Sequence, residues 1–235
     1  MRRKTWERDA VPTVLISGAN RGIGLEFARQ YAAEGWIVHA TARDPDAATD
    51  LKALGGQVTA HALDLTDEVS IAALAAALRG VPIDLLLANA GLPGDFAAPE
   101  TITRAELIRV MAVNSFAPLA LASALRPNLE SGRFKIAAAV SSLMGSIGSN
   151  DWGTQYVYRA SKTGLNALWS SLALEWRPKG IACILLRPGI VKTRMTNFTG
   201  LEPAESVGGM RRVLAGITAA DSGRLIGYDG LDVPW

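Results

Sequence analysis

The chain has 235 residues, 49% of them apolar and 20% charged, and a formal net charge of +2. That length fits one large domain with room for a single core, and the composition is globular, far from disorder. Lysines and arginines are scattered rather than striped, so no nucleic-acid footprint is expected, and the single cysteine, Cys183, excludes intrachain disulfides and cysteine-cluster metal sites.

The basic start, Met1-Arg2-Arg3-Lys4-Thr5-Trp6, is not followed by the apolar core of a signal peptide. Residues 1–10 are expected to be a flexible terminus. No stretch approaches the roughly 20 unbroken apolar residues of a membrane span. A reducing cytoplasm, with no membrane partner, suits this reading.

In chain order, a strand over 13–17 leads to a helix over 22–34, then a strand over 36–41 and a helix over 46–54. A strand over 58–63 precedes a helix over 67–78, with Asp67 as its N-cap and Gly80 as its stop. Next come a strand over 83–88, a helix over 103–129, a strand over 135–140 and a helix over 154–176. Strands over 181–186 and 224–227 complete the pattern. Most strands are continuous apolar runs, as expected where both faces are covered. Repeated βα alternation without a composition break predicts one α/β domain, 1–235, around a parallel sheet. Its ligand belongs at the carboxyl ends of the strands, where strand order reverses. Residues 194–209 read as a mobile loop over that edge, within a substrate-loop region over 194–216. Cys183 falls in an apolar run and reads as a buried small hydrophobe. His39 and His61 fall in strands without a carboxylate cluster, so structural roles and no metal are expected.

The first strand runs into Ser17-Gly18-Ala19-Asn20-Arg21-Gly22-Ile23-Gly24. A pyrophosphate needs a tight turn, close backbone approach and a helix N-terminus aimed at negative charge. Gly18 can supply the turn, and Gly22 and Gly24 open the helix without Cβ atoms to obstruct the ligand or the sheet. At the end of the second strand, an NAD site carries an acidic residue. Here Arg43 stands in that place, in Thr41-Ala42-Arg43-Asp44. A guanidinium there suits a 2′-phosphate, and Arg21 can reach the same group, which favours NADP(H) over NAD(H). The alternative is a pair of solvated arginines with Asp44 neutralising Arg43.

Of the four tyrosines, only Tyr158 has a lysine four residues later, Lys162, on the same face of a helix. At an effective dielectric of about 20, a charge at about 4 Å contributes roughly 4 kcal/mol. That is on the order of two to three pKa units, enough to bring a phenol toward neutrality as a general acid or base. Ser142, in Val140-Ser141-Ser142-Leu143-Met144-Gly145 after an apolar strand, can hydrogen-bond a substrate carbonyl, with Ser141 pointing the other way.

These motifs together resemble the short-chain dehydrogenase/reductase family over nearly the whole chain. The match continues through Asp64 in Leu63-Asp64-Leu65-Thr66, Ala88-Asn89-Ala90-Gly91, Asn114 in Val113-Asn114-Ser115, and Pro188-Gly189-Ile190-Val191 followed by Thr193. Within the family the chain is similar to the C-factor/Sniffer branch of carbonyl reductases, down to its ending, Tyr228-Asp229-Gly230-Leu231-Asp232-Val233-Pro234-Trp235. The resemblance implies a Rossmann-type, doubly wound, seven-stranded parallel sheet in the order 3-2-1-4-5-6-7 with helices on both faces. It implies that Tyr158 protonates a carbonyl oxygen as hydride arrives from nicotinamide, and that Lys162 lowers the phenol pKa and holds the ribose. Ser142 would orient the carbonyl and Asn114 would hold a water linking Lys162 to solvent. The cofactor set would be Gly18, Asn20, Arg21, Gly22, Ile23, Gly24, Arg43, Asp64, Leu65, Asn89, Ala90, Gly91, Tyr158, Lys162, Pro188, Gly189, Val191 and Thr193. Asp64 would contact the adenine, Asn89 line the adenosine side, and Thr193 meet the carboxamide or pyrophosphate. Pairing of the 103–129 and 154–176 helices across a two-fold axis would give a homodimer or homotetramer.

The chain departs from the family in opening the asparagine motif with Ala88 and in placing Ser142 and Tyr158 16 residues apart. The intervening segment is expected to bulge over the substrate pocket, with Met144, Trp152, Met195 and Phe198 as its apolar wall. The function expected is reduction of a ketone or aldehyde by NADPH. The alternative is a C-factor-like regulatory protein that binds the nucleotide with little turnover.

Overall fold

The structure, a computed structural model, describes residues 11–235. The expected flexible segment, 1–10, lies outside the described residues. Seven strands form one parallel sheet: β1 (Thr13–Ile16), β2 (Ile37–Ala42), β3 (Val58–Ala62), β4 (Leu85–Ala88), β5 (Ile136–Val140), β6 (Ala182–Arg187) and β7 (Leu225–Gly227). Their order is β3-β2-β1-β4-β5-β6-β7, every neighbouring pair parallel, as the family resemblance implied. Strands β1, β4 and β5 are buried along their whole length, which is why they read as unbroken apolar runs.

The helices are α1 (Gly22–Ala33), α2 (Thr49–Lys52), α3 (Glu68–Ala77), α4 (Arg104–Met111), α5 (Ala117–Ala124), α6 (Arg126–Ser131), α7 (Tyr156–Trp176) and α8 (Pro203–Gly216). One side of the sheet buries Phe27 and Tyr31 of α1 with Val207, Met210 and Leu214 of α8. The other side buries Ile71 and Leu74 of α3, Leu121 of α5, and Leu165 and Trp169 of α7. The sheet is therefore covered on both faces. Strand order reverses between β1 and β4, whose carboxyl ends meet where Ser17 N donates to Leu87 O at 3.0 Å.

Two predicted elements are corrected. The reading of 194–209 as a loop fails beyond Glu202, because Pro203 at the first turn starts a regular helix. Val207, Met210 and Leu214 then give it an apolar stripe. The single helix over 103–129 is broken by a π-turn at Ala112–Phe116. Pro118 has no N–H to give the carbonyl of Asn114, four residues back, and the helix widens there. The stretch Arg104–Ala124 is long and apolar enough to cross a membrane by length and composition, but 44% of that window is buried inside the fold.

Candidate active site

The glycine turn is built by contacts that leave no room for side chains. Gly18 adopts φ +67°, and a Cβ there would stand 2.8 Å from that of Ala90. A Cβ on Gly24 would overlap the Gly18 carbonyl oxygen and approach Asn89 Nδ2 to 2.5 Å. Ser17 Oγ accepts from the Asn89 and Ala90 amides at 3.0 and 3.2 Å, and Asn89 Nδ2 donates to the Ser17 and Gly18 carbonyls. These bonds stitch the ends of β1 and β4 together. Helix α1 then begins at an extended Arg21, with no side-chain cap and no acidic residue in its first turn. Its first amides are left for an anion. Thr193 closes the turn from the far side, since a Cβ on Gly22 would lie 3.3 Å from Thr193 Cγ2.

At the ends of β2 and β3, Asp64 Oδ1 accepts from the Thr66 amide at 2.8 Å and from its hydroxyl at 2.7 Å. These bonds hold its carboxyl below the usual range, with a smaller contribution from the nearby Arg43 guanidinium. Asp44 Oδ1 instead accepts from the amides of Asp46 and Ala47, forming a local turn. Arg21 and Arg43 are both exposed and make no ion pair among the described residues.

The end of β5 carries the candidate chemistry. Ser142 Oγ accepts from the Met144 amide at 3.1 Å and stands close enough to the Tyr158 phenol to lower its pKa. Ser141 turns the other way, donating to Asn166 Oδ1 at 2.6 Å. Lys162 is only 4% exposed, and its Nζ donates to the Val140 carbonyl at 2.8 Å. A Cβ on Gly91 would lie 3.3 Å from Asn114 Oδ1 and 3.6 Å from Lys162 Nζ. Gly91, Asn114 and Lys162 thus converge, with Lys162 Nζ 5.9 Å from the centre of the Tyr158 ring.

A family model described as short chain dehydrogenase matches residues 12–203. The chain belongs to that family. It is 39% identical to the C-signal protein of Myxococcus xanthus over 155 residues, covering 66% of this chain and 93% of that one. Among solved structures, the NADPH-bound carbonyl reductase from chicken fatty liver superposes with a TM-score of 0.88 at 35% identity, over 96% of this chain and 99% of that one. The carbonyl reductase Sniffer of D. melanogaster superposes with a TM-score of 0.87 at 28% identity, over 96% of this chain and all of that one. The chain is therefore a short-chain oxidoreductase of the C-factor/Sniffer-like branch, and its fold is one that binds a nicotinamide cofactor. The glycine turn, open helix N-terminus and Gly91 clearance fit such a group.

One sequence-based expectation for this short-chain dehydrogenase changes, and two asparagines gain a structural role. Lys162 does not bring the Tyr158 phenol toward neutrality. Its Nζ stands 5.9 Å from the ring centroid and faces Val140. Burial dominates, pushing the phenol up to about 12 against a small lowering by Ser142, and pushing Lys162 down to about 8. Asn114, fully buried, accepts from the Leu92 amide at 2.8 Å and donates to Leu92 O and Ser161 Oγ. Its carboxamide is a brace, with both N–H groups of Nδ2 engaged by protein partners. Asn89 likewise braces the glycine turn through its amide.

The remaining residues lie around the same edge. Pro188 accepts from Ser206 Oγ at 2.6 Å, and Gly189 has φ +79° against Leu201 and Tyr228. Val191 is buried and accepts from Thr196 Oγ1 at 2.5 Å. Asn20 is exposed on the glycine turn, Ile23 is half-buried in α1, and Leu65 is half-buried beside Asp64. Of the expected apolar wall, Met144 adjoins Ser142, while Met195 and Phe198 are exposed on the loop before α8. Trp152 lies over the Arg159 guanidinium, 4.3 Å from its ring centroid. The sequence reading missed Ser161, which links Asn114 to the Tyr158 carbonyl at 2.8 Å. Its only signal was its place inside the Tyr158-x-x-x-Lys162 motif. It also missed that His39 Nδ1 meets His61 Nε2 at 2.9 Å across β2 and β3. A cleft of about 420 Å³ lined by Tyr31, Trp36, Leu85, Ile136 and Arg211 sits at the opposite end of the sheet, where β4 and β5 begin, away from all of these groups.

Proposed function

We propose that the chain is an NADP(H)-dependent carbonyl reductase that converts a ketone or aldehyde into an alcohol. The observation that carries this is the approach of the Tyr158 phenol to Ser142 at the carboxyl end of β5, with the Lys162 ammonium one helical turn along α7. A phenol raised to about 12 holds its proton at neutral pH, the form needed to give a proton to the carbonyl oxygen. Ser142 Oγ orients that oxygen by donating a hydrogen bond. Lys162, lowered only to about 8, remains mostly an ammonium near neutrality and would hold the ribose hydroxyls of the bound nucleotide. The nicotinamide, when bound, supplies the hydride. The exposed Arg21 and Arg43, flanking the glycine turn and the end of β2, support a 2′-phosphate and hence NADP(H). Exposed apolar residues Leu107, Ile108, Phe116 and Leu174 on α4, the π-turn and α7 support a homodimer or homotetramer.

The test is NADPH oxidation with a panel of dicarbonyls, quinones and aromatic aldehydes. Tyr158→Phe should lower kcat by about 10²–10⁴-fold while NADPH still binds. Full turnover in that variant would refute the assignment. The likeness to the C-signal protein supports a second reading, a regulatory protein that holds the nucleotide with little turnover. Tight NADPH binding with no oxidation of any carbonyl in the panel would favour it.

A further inference from the structure

Between Ser142 and Tyr158 the chain enters α7 through three successive left-handed residues: Gly153 (φ 66°), Thr154 (φ 61°) and Gln155 (φ 52°). Glycine adopts that backbone freely, but a residue with a Cβ is disfavoured there by roughly 1–2 kcal/mol. A β-branched residue such as Thr154 is an outlier. Contacts from elsewhere must hold the segment.

Arg159 supplies them. Its Nε donates to the Gly153 carbonyl at 3.0 Å and to the Thr154 carbonyl at 2.9 Å. Its guanidinium lies over the indole of Trp152, and its main-chain amide donates to the Gln155 carbonyl at 2.9 Å. One side chain therefore touches every residue from 152 to 154, and its backbone touches 155. Yet Arg159 is only 8% exposed, and both Nη1 and Nη2 are buried without a hydrogen-bond partner among the described residues. A buried cation with two unpaired donors is a poor way to stabilise a fold, and an apolar residue of similar volume would serve better. What the arrangement does instead is fix the first turn of α7, where Tyr158 immediately precedes Arg159.

We propose that Arg159 is a positioning residue: by clamping the left-handed entry to α7 it sets the Tyr158 phenol against Ser142. The proposal rests on the reading of Tyr158 as the proton donor. Its contacts are with the backbone of Gly153 and Thr154 and the ring of Trp152, so it acts through the chain that leads to Tyr158.

The test compares Arg159→Met, close in length but without charge or donors, with Arg159→Lys. The assay is NADPH oxidation with an aromatic aldehyde or quinone that the wild type reduces. In Arg159→Met, kcat should fall by about ten- to a hundredfold, the effect of a misplacement of order 1 Å. KM and the NADPH Kd should stay within about twofold, and Tm should be unchanged or raised. Arg159→Lys, which keeps one cationic donor but not the planar fork, should fall between the two. A wild-type kcat in either folded variant overturns the proposal, as does a loss that merely follows the folded fraction or the NADPH affinity. Tyr158→Phe run alongside separates the two readings. If it turns over normally, the proton-donor reading has failed; if it is inactive while Arg159→Met is normal, only the positioning role has.

Discussion

Lys162 directs its ammonium to the carbonyl of Val140, 2.8 Å away, rather than to the phenol of Tyr158 one helical turn before it. The last carbonyl of β5 thereby sets where the positive charge sits. Because burial lowers Lys162 to about 8 and raises Tyr158 to about 12, the lysine is the first of the two to change charge as pH rises through the alkaline range. Carbonyl reduction should therefore decline above pH 8 as the ammonium is lost. Lys162→Met should lower kcat/KM by about a hundredfold or more and remove that alkaline limb. A wild-type profile that stays flat to well above pH 8 would show that Lys162 does not govern the reaction.

Arg43 stands exposed at the end of β2 with its neighbour Asp44 engaged in a local turn. Each charge-assisted bond from a guanidinium to a phosphate contributes about 1.5–3 kcal/mol, roughly ten- to a hundredfold in affinity. The wild type should bind NADPH at least about tenfold more tightly than NADH, and Arg43→Asp should erase or reverse the preference. Titration of both nucleotides by fluorescence measures it. Equal wild-type affinities would remove the case for NADP(H).

The strands were legible because a sheet covered on both faces needs continuous apolar runs, and β1, β4 and β5 carry them. Tyr158 and Lys162 were legible because their spacing is itself helical geometry. Helix α8 was not, because Gly208 and Gly209 lower its propensity. The reason for Gly209 is tertiary: a Cβ there would overlap the Tyr228 carbonyl oxygen. The bracing roles of Asn89 and Asn114 were hidden for the same cause, since their partners at Ser17, Gly18 and Leu92 belong to other elements. Lys162 illustrates the limit most sharply. Its charge and spacing are in the sequence, but the competing carbonyl of Val140 is not.

Gly24 faces the main-chain oxygen of Gly18 on one side and Asn89 Nδ2 on the other. Neither is the free end of a flexible side chain, so an added methyl group must displace the turn or break the brace. Gly24→Ala should lower Tm and weaken NADPH binding by about tenfold or more, on the scale of an overpacked core site at about 1–3 kcal/mol. Gly35→Ala, at a position where an added Cβ meets nothing within 4 Å among the described residues, is the control; its φ of +80° gives it a modest strain of its own away from the glycine turn. NADPH affinity should be unchanged in Gly35→Ala. Wild-type affinity in Gly24→Ala as well would mean that the turn tolerates a side chain and the cradle is looser than its geometry requires.

His39 and His61 are diagonal neighbours on β2 and β3, with facing nitrogens 2.9 Å apart. Such a pair needs one nitrogen with its proton and one without, so the neutral forms suit it. Burial lowers His39 from 6.5 to about 4, with His61 adding to the shift, and burial also lowers His61. In the unfolded chain both take up a proton near pH 6.5, whereas in the fold they resist it. The unfolded state therefore binds more protons between these values, and stability falls as pH drops. The contribution is fully present above pH 6.5 and is lost progressively down to about pH 4. His39→Gln, which keeps a polar partner for His61 but cannot titrate, should show a smaller drop in Tm between neutral pH and pH 5 than the wild type. Parallel thermal melts at the two pH values decide the matter. An equal drop in both proteins would place the acid sensitivity elsewhere, in the paired carboxylates.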